Sequence, residues 1–161
     1  MLEFYKSFTD WDPFDSSEYY NDLAELYLLQ EDKDRVWLED WDLDVSKGKD
    51  AYVTTLGQWS KISRGAFQPS DIKEVWDGEE GPITISFKLN GQDRVIHLED
   101  TGGYIDTGIL KEINAMIKAS GFQFAEAYND DDDTIVTVLK AEEQAKLQQE
   151  RYIDFYFITT D

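Results

Sequence analysis

Cysteine is absent from this chain, and histidine occurs once, at His97. The first absence excludes disulfides, thiol nucleophiles and thiolate metal sites, and it fits a reducing compartment. The second leaves little for acid–base chemistry near neutral pH, because histidine is the side chain that titrates there unaided. Long apolar runs are also missing. No stretch approaches the roughly 20 residues needed to span a bilayer. The N-terminal "MLEFYKSFTDWDPFD" has no basic region followed by an apolar core, so it reads as no signal peptide, and the expectation is a cytoplasmic protein. Positive charge is scarce, with 15 Lys and Arg against 35 Asp and Glu, a formal net charge of −20. Such a charge repels nucleic acid, anionic membranes and acidic substrates, and attracts basic surfaces. It serves solubility equally well.

Aromatic residues, by contrast, are plentiful: five Trp, nine Tyr and nine Phe. They supply a core to a chain of one-domain length, and Tyr and Trp also suit interfaces. The chain divides into an acidic, helical N-terminal part over residues 1–64 and an α+β part over residues 65–161, read together as a single domain 1–161. "DSSE", Asp15 to Glu18, resembles a capping box that opens a helix running to about Gln30. "WLEDWDLDV" alternates, with Trp41, Leu43 and Val45 on one side and Asp40, Asp42 and Asp44 on the other, which predicts a half-buried strand. Residues 50–63 have helical spacing of Tyr52, Leu56 and Trp59, with Gly65 just beyond.

From Gln68 the pattern turns to strands. "DIKEVW" is one. "ITISFKL" and "QDRVIHLE" flank Asn90-Gly91, the strongest short hairpin signal. The stripe Ile109, Leu110, Ile113, Met116 and Ile117 predicts a helix over residues 107–119, stopped by Gly121. "FQFAEAY" and "TIVTVLK" form a second hairpin, "AEEQAKLQQE" a short helix and "YIDFYFI" a last strand. The expected fold is α+β: an antiparallel sheet of about four to six strands built from hairpins, covered by three to four helices.

Two acidic clusters stand out. Asp130, Asp131, Asp132 and Asp133 sit at the tip of the second hairpin, where Asp favours turns and water solvates the charge. Asp40, Asp42 and Asp44 match the first three ligand positions of a calcium loop. The turn position that needs Gly holds Val45, however, and the closing position that needs Glu holds Ala51. A calcium-binding module is therefore the weaker reading. On a strand, the three carboxylates would form a straight row about 7 Å apart, able to meet the Lys and Arg side chains of a nucleic-acid-binding protein.

No nucleophile elbow, zinc-protease helix or phosphate-binding loop is present. "DTGGYIDTG" with Glu99, Asp100 and Asp106 offers the one alternative enzyme reading, a carboxylate-based hydrolase. In a chain with 35 acids such groupings arise by chance. His97 lies in a return strand and reads as structural. Lys61 and Arg64 are the nearest thing to a basic patch, too little for nucleic-acid binding.

The segments "WSKISRGAFQPSDIKEVWDGEEGPITISFKLNGQDRVIHLED", "ILKEINAMI", "GFQFAEAY" and "TIVTVLKAEEQAKLQQER", within about residues 59–151, resemble small bacterial immunity proteins of polymorphic toxin and contact-dependent competition systems. The first 58 residues lie outside the resemblance, and "NDDDD" is an unusually acidic version of the hairpin tip. The resemblance implies a protein without catalytic residues or cofactor that neutralises a cognate toxin domain. Together with the charge it gives the expectation of a basic protein partner, such as a nuclease domain. The candidate contacts are Asp40, Asp42, Asp44 and Asp130 to Asp133, with Trp37 and Trp11 as aromatic anchors.

Overall fold

The computed structural model describes residues 30–99, 102–127, 134–151 and 153–157. In chain order these contain β1 (Val36–Leu38), α1 (Ala51–Ile62), β2 (Ser70–Trp76), β3 (Ile83–Leu89), β4 (Gln92–Leu98), α2 (Leu110–Ile117), β5 (Gln123–Ala127), β6 (Ile135–Leu139), α3 (Ala141–Arg151) and β7 (Phe155–Phe157). Single 3-10 turns, Thr107–Ile109 and Lys118–Ser120, extend α2 at both ends. The fold is α+β. Its strands form two antiparallel sheets, one ordered β1-β6-β5-β7 and the other β2-β3-β4. Of the helix expected from Asp15, only Gln30 falls within the described residues, and it is helical.

The three-stranded sheet follows its sequence closely. Asn90 and Gly91 both have positive φ, 52° and 76°, as a tight two-residue hairpin requires. The turn sets β3 and β4 in register from Ile83–Leu98 to Leu89–Gln92. Alternation then sends Ile83, Ile85, Phe87, Leu89, Ile96 and Leu98 inward. His97 stays on the outer face, its Nδ1 3.2 Å from the Thr84 hydroxyl oxygen.

In the four-stranded sheet, all five residues of the central strand β6 are buried. Val136 and Val138 face the main core, which both sheets share with α1 and α2. Ile135 and Leu139 face a second cluster with Val36, Ala125, Ala127, Leu147 and Phe155. A strand covered on both sides reads as a near-continuous run of β-branched and apolar residues without alternation, as Ile135–Leu139 does.

Aromatic rings join the layers. Trp59 of α1 meets Trp37 of β1 edge-on at 5.5 Å, and its centroid lies 6.1 Å from that of Phe124 in β5. Phe67 touches Phe124 at 5.9 Å and Phe87 at 5.8 Å, which carries the chain of rings into the other sheet. Edge-to-face pairs of this kind add to the burial of the rings themselves.

Polar side chains close the ends of elements. Glu74 in β2 accepts the Tyr52 backbone N–H at 2.8 Å, capping α1 from a neighbouring strand. Asp50 precedes α1 in the left-handed region and makes no side-chain cap. On α2, the Asn114 amide donates to the Phe124 carbonyl and accepts the Phe124 N–H, at 2.9 and 2.7 Å. It takes the place of a strand neighbour for that residue. Glu143 reaches back to the Lys140 N–H at the start of α3, half of a capping box.

One expected element is different. "WLEDWDLDV" does not form a strand along its length: β1 ends at Leu38. The Leu43 N–H then bonds to the Asp40 carbonyl, turning the chain at Trp41 and Asp42. No helix among the described residues is long and apolar enough to cross a membrane.

Candidate partner-binding surface

Two loops meet at the acidic stretch. The first, residues 39–45, leaves β1 and is fastened at both ends. The Glu39 N–H bonds to the Thr134 carbonyl at 3.0 Å, and its carboxylate accepts the Thr134 hydroxyl at 2.6 Å. At the other end Val45 is buried, and Leu43 packs against the same core. The Asp40 carboxylate accepts the Asp42 N–H at 3.0 Å, an Asx turn that fixes the bend. The Asp44 carboxylate accepts the Ser46 hydroxyl at 2.6 Å and lies 3.4 Å from the Lys49 ammonium. The hydroxyl bond, helped by Lys49, holds its pKa below the ordinary aspartate value.

The second loop is residues 102–106. Gly102 and Gly103 both take positive φ, 58° and 87°, which an L side chain would resist. They lead into Tyr104. Ile105 is then buried as a plug. The Asp106 N–H bonds to the hydroxyl oxygen of Tyr52 at 3.1 Å, tying the loop to α1. The Asp106 carboxylate accepts the Gly108 N–H at 2.8 Å and caps the 3-10 turn ahead of α2.

These two anchored loops bring Trp41 against Tyr104. The ring centroids are 5.8 Å apart and the planes cross at 76°. Both rings remain largely in water, Trp41 53% and Tyr104 57% exposed. In sequence Trp41 lies between Asp40 and Asp42, and Tyr104 lies two residues before Asp106. Asp40, Asp42, Asp44 and Asp106 are all exposed. The result is an exposed aromatic pair carried by two pinned, acidic loops.

The expected contacts divide accordingly. Asp40, Asp42 and Asp44 are exposed as expected, but on a folded loop. The expected straight row of carboxylates at strand pitch is corrected, because the turn at Trp41 and Asp42 breaks the extended backbone that such a row needs. Trp37 is also corrected. It is 5% exposed, donates its indole N–H to Gln58 Oε1 at 2.6 Å and packs on Trp59, so it belongs to the core and anchors no partner. Trp11 and Asp130, Asp131, Asp132 and Asp133 lie outside the described residues, as does Asp100 of the hydrolase reading. Glu99 is exposed at the end of β4. Among the described residues, no group of three or more His, Asp or Glu is placed to hold a metal ion.

Trp41 and Tyr104 escaped the sequence reading for definite reasons. Period-two alternation assigned Trp41 inward with Leu43 and Val45, and only a turn between them puts it outside. Tyr104 follows two glycines in a connector, which marks a loop tip. Nothing local says that the tip reaches Trp41. No protein-family model, curated protein or solved structure matches the chain.

Proposed function

We propose that this chain is a binding protein that neutralises a basic protein, in the manner of a cytoplasmic immunity protein acting on a cognate toxin domain such as a nuclease. The observation that carries the reading is the Trp41–Tyr104 pair on its two acidic loops. Trp and Tyr are the side chains most enriched at binding hot spots, and here both are exposed on fastened backbone. A net charge of −20 supplies long-range attraction for a basic partner. The likeness of residues 59–151 to immunity proteins points the same way. An inhibitor of this kind covers the basic substrate-binding face of its target and needs no catalytic group of its own.

Affinity capture from the native host with the tagged chain tests the reading. The expected result is one basic protein, retained strongly at low salt and weakly at high salt, whose activity falls when the chain is added. Recovery of no basic protein, or of one whose activity is unchanged by the chain, would overturn it. Asp40→Asn, Asp42→Asn and Asp44→Asn together form the companion variant. Asn still accepts the Asp42 N–H and the Ser46 hydroxyl bonds, so the loop keeps its shape while three charges go. Each desolvated charge pair lost weakens binding by about 1.5 kcal/mol or more.

A further inference from the structure

We propose that β4 is the seam of a homodimer, in which the strand pairs antiparallel with β4 of a second copy of this chain about a two-fold axis through Val95. β4 ends the order β2-β3-β4, and its seven residues pair one to one with β3 without a bulge. Among the described residues, no backbone hydrogen bond reaches its other side. The remaining sheet edges are blunted or short. β2 shifts register between Ser70 and Lys73, where Asp71 takes a positive φ of 53°, and β1 and β7 span three residues each. An uninterrupted edge left open is a template for another strand.

The hairpin fixes what that edge presents. Leu89 and Gln92 flank the two-residue turn and exchange both their backbone bonds, so Gln92, Arg94, Ile96 and Leu98 bond to β3. The N–H and C=O groups of Asp93, Val95 and His97 point the other way, and their side chains are exposed, Val95 48%. Side chains keep their face across the seam only if outward residues meet outward residues. The two-fold axis must therefore pass through a residue position. Val95 is the middle of Gln92–Leu98, so an axis there pairs every residue of the strand. The same register sets Val95 opposite its own copy and, twice, Asp93 opposite the second copy's His97. An axis at Asp93 or Arg94 opposes like charges and leaves part of the strand unpaired.

Both members of the Asp93–His97 pair suit the contact. Lys88, across from Asp93 on β3, pairs with Asp71 at 3.4 Å, which leaves the Asp93 carboxylate for another donor. The His97 Nδ1 lies 3.2 Å from the Thr84 hydroxyl oxygen. When that nitrogen accepts from the hydroxyl, the ring proton sits on Nε2, where an incoming carboxylate can accept it. Charge selects the occupant. β4 carries one acid and one base, Asp93 and Arg94, so the seam is neutral on a chain of net charge −20 and a second copy meets no local repulsion.

Sedimentation velocity of the full chain, from low to high micromolar concentration, reads the dimer. One strand pair is smaller than a standard interface, so the dimer is expected toward the upper end. Salt should tighten it by screening the repulsion between two chains of −20, the opposite of its effect on a basic partner. Val95→Lys, which sets two like charges at the axis, should weaken dimerisation about tenfold. The chain has no cysteine, so Val95→Cys carries a single thiol and should form an intermolecular disulfide on mild oxidation. Val75→Cys, exposed on the same sheet face but two strands from the seam, should not. A wild type that stays monomeric at every concentration and salt would overturn the proposal, whatever the variants do. A dimer unaffected by Val95→Lys, or one in which Val75→Cys cross-links as fast as Val95→Cys, would overturn it equally.

Discussion

Trp37 and Trp41 stand four residues apart and have opposite fates. Trp37 is enclosed by Trp59 and Gln58, whereas Trp41 touches Tyr104 at the surface. Trp37→Ala should therefore destabilise the protein by about 3–5 kcal/mol, through lost burial and the cavity left behind. Trp41→Ala should cost much less, about 1 kcal/mol, through its ring contact with Tyr104. Urea unfolding of the two variants measures both. At Asp44 the Ser46 hydroxyl, with Lys49 behind it, stabilises the ionised form. The folded pKa is depressed, so the associated stability is present above the unfolded value and lost as pH falls through the folded one. In Ser46→Ala the Asp44 carboxyl should titrate at higher pH, closer to an ordinary aspartate, as carbon-13 NMR of the carboxyl would record. An unchanged titration would remove Ser46 as the cause.

Between elements, the most exacting contact joins the end of α1 to the start of α3. Arg64 Nη1 lies 2.8 and 2.6 Å from the two carboxylate oxygens of Glu143, which is 1% exposed. The guanidinium also sits 4.6 Å from the Phe122 ring centroid. Arg64 itself is about a third exposed, so the pair is partly screened and its net contribution is modest. Breaking it from one side is another matter, because the buried carboxylate loses its counter-charge. Arg64→Ala should cost about 3 kcal/mol, and adding Glu143→Gln should recover much of that loss. Purely additive losses in a double-mutant cycle would mean that the two residues act independently. This contact spans 79 positions in sequence and could not be read from it. The elements themselves could. Asn90-Gly91, the α2 stripe and the β-branched run of β6 each carry a local signal that the fold obeys, because period and turn chemistry act within a few residues. "WLEDWDLDV" misled because alternation of burial needs no strand. A turn with Leu43 and Val45 inward produces much of the same pattern. The acidic half of the proposed binding surface was thus legible as exposed charge. The aromatic half depended on a meeting of two loops more than sixty residues apart, which no local pattern encodes.

At the scale of the whole molecule, the excess of 20 negative charges is either a solubility device or the long-range part of a binding mechanism. The two differ in kinetics. Attraction between oppositely charged surfaces speeds encounter and is screened beyond about 8–10 Å at physiological ionic strength. A charge that serves solubility alone leaves association indifferent to salt. The loops bearing Asp40, Asp42, Asp44 and Asp106 add a local claim, that part of this attraction is focused beside Trp41 and Tyr104. The most direct measurement is stopped-flow association with the captured basic protein across a salt series, for the wild type and for the triple Asn variant of Asp40, Asp42 and Asp44. The wild-type rate should fall steeply with salt, and the variant should start slower at low salt with a shallower slope. A wild-type rate flat in salt, or identical slopes for the two proteins, would contradict an acidic loop that guides a basic partner to this surface.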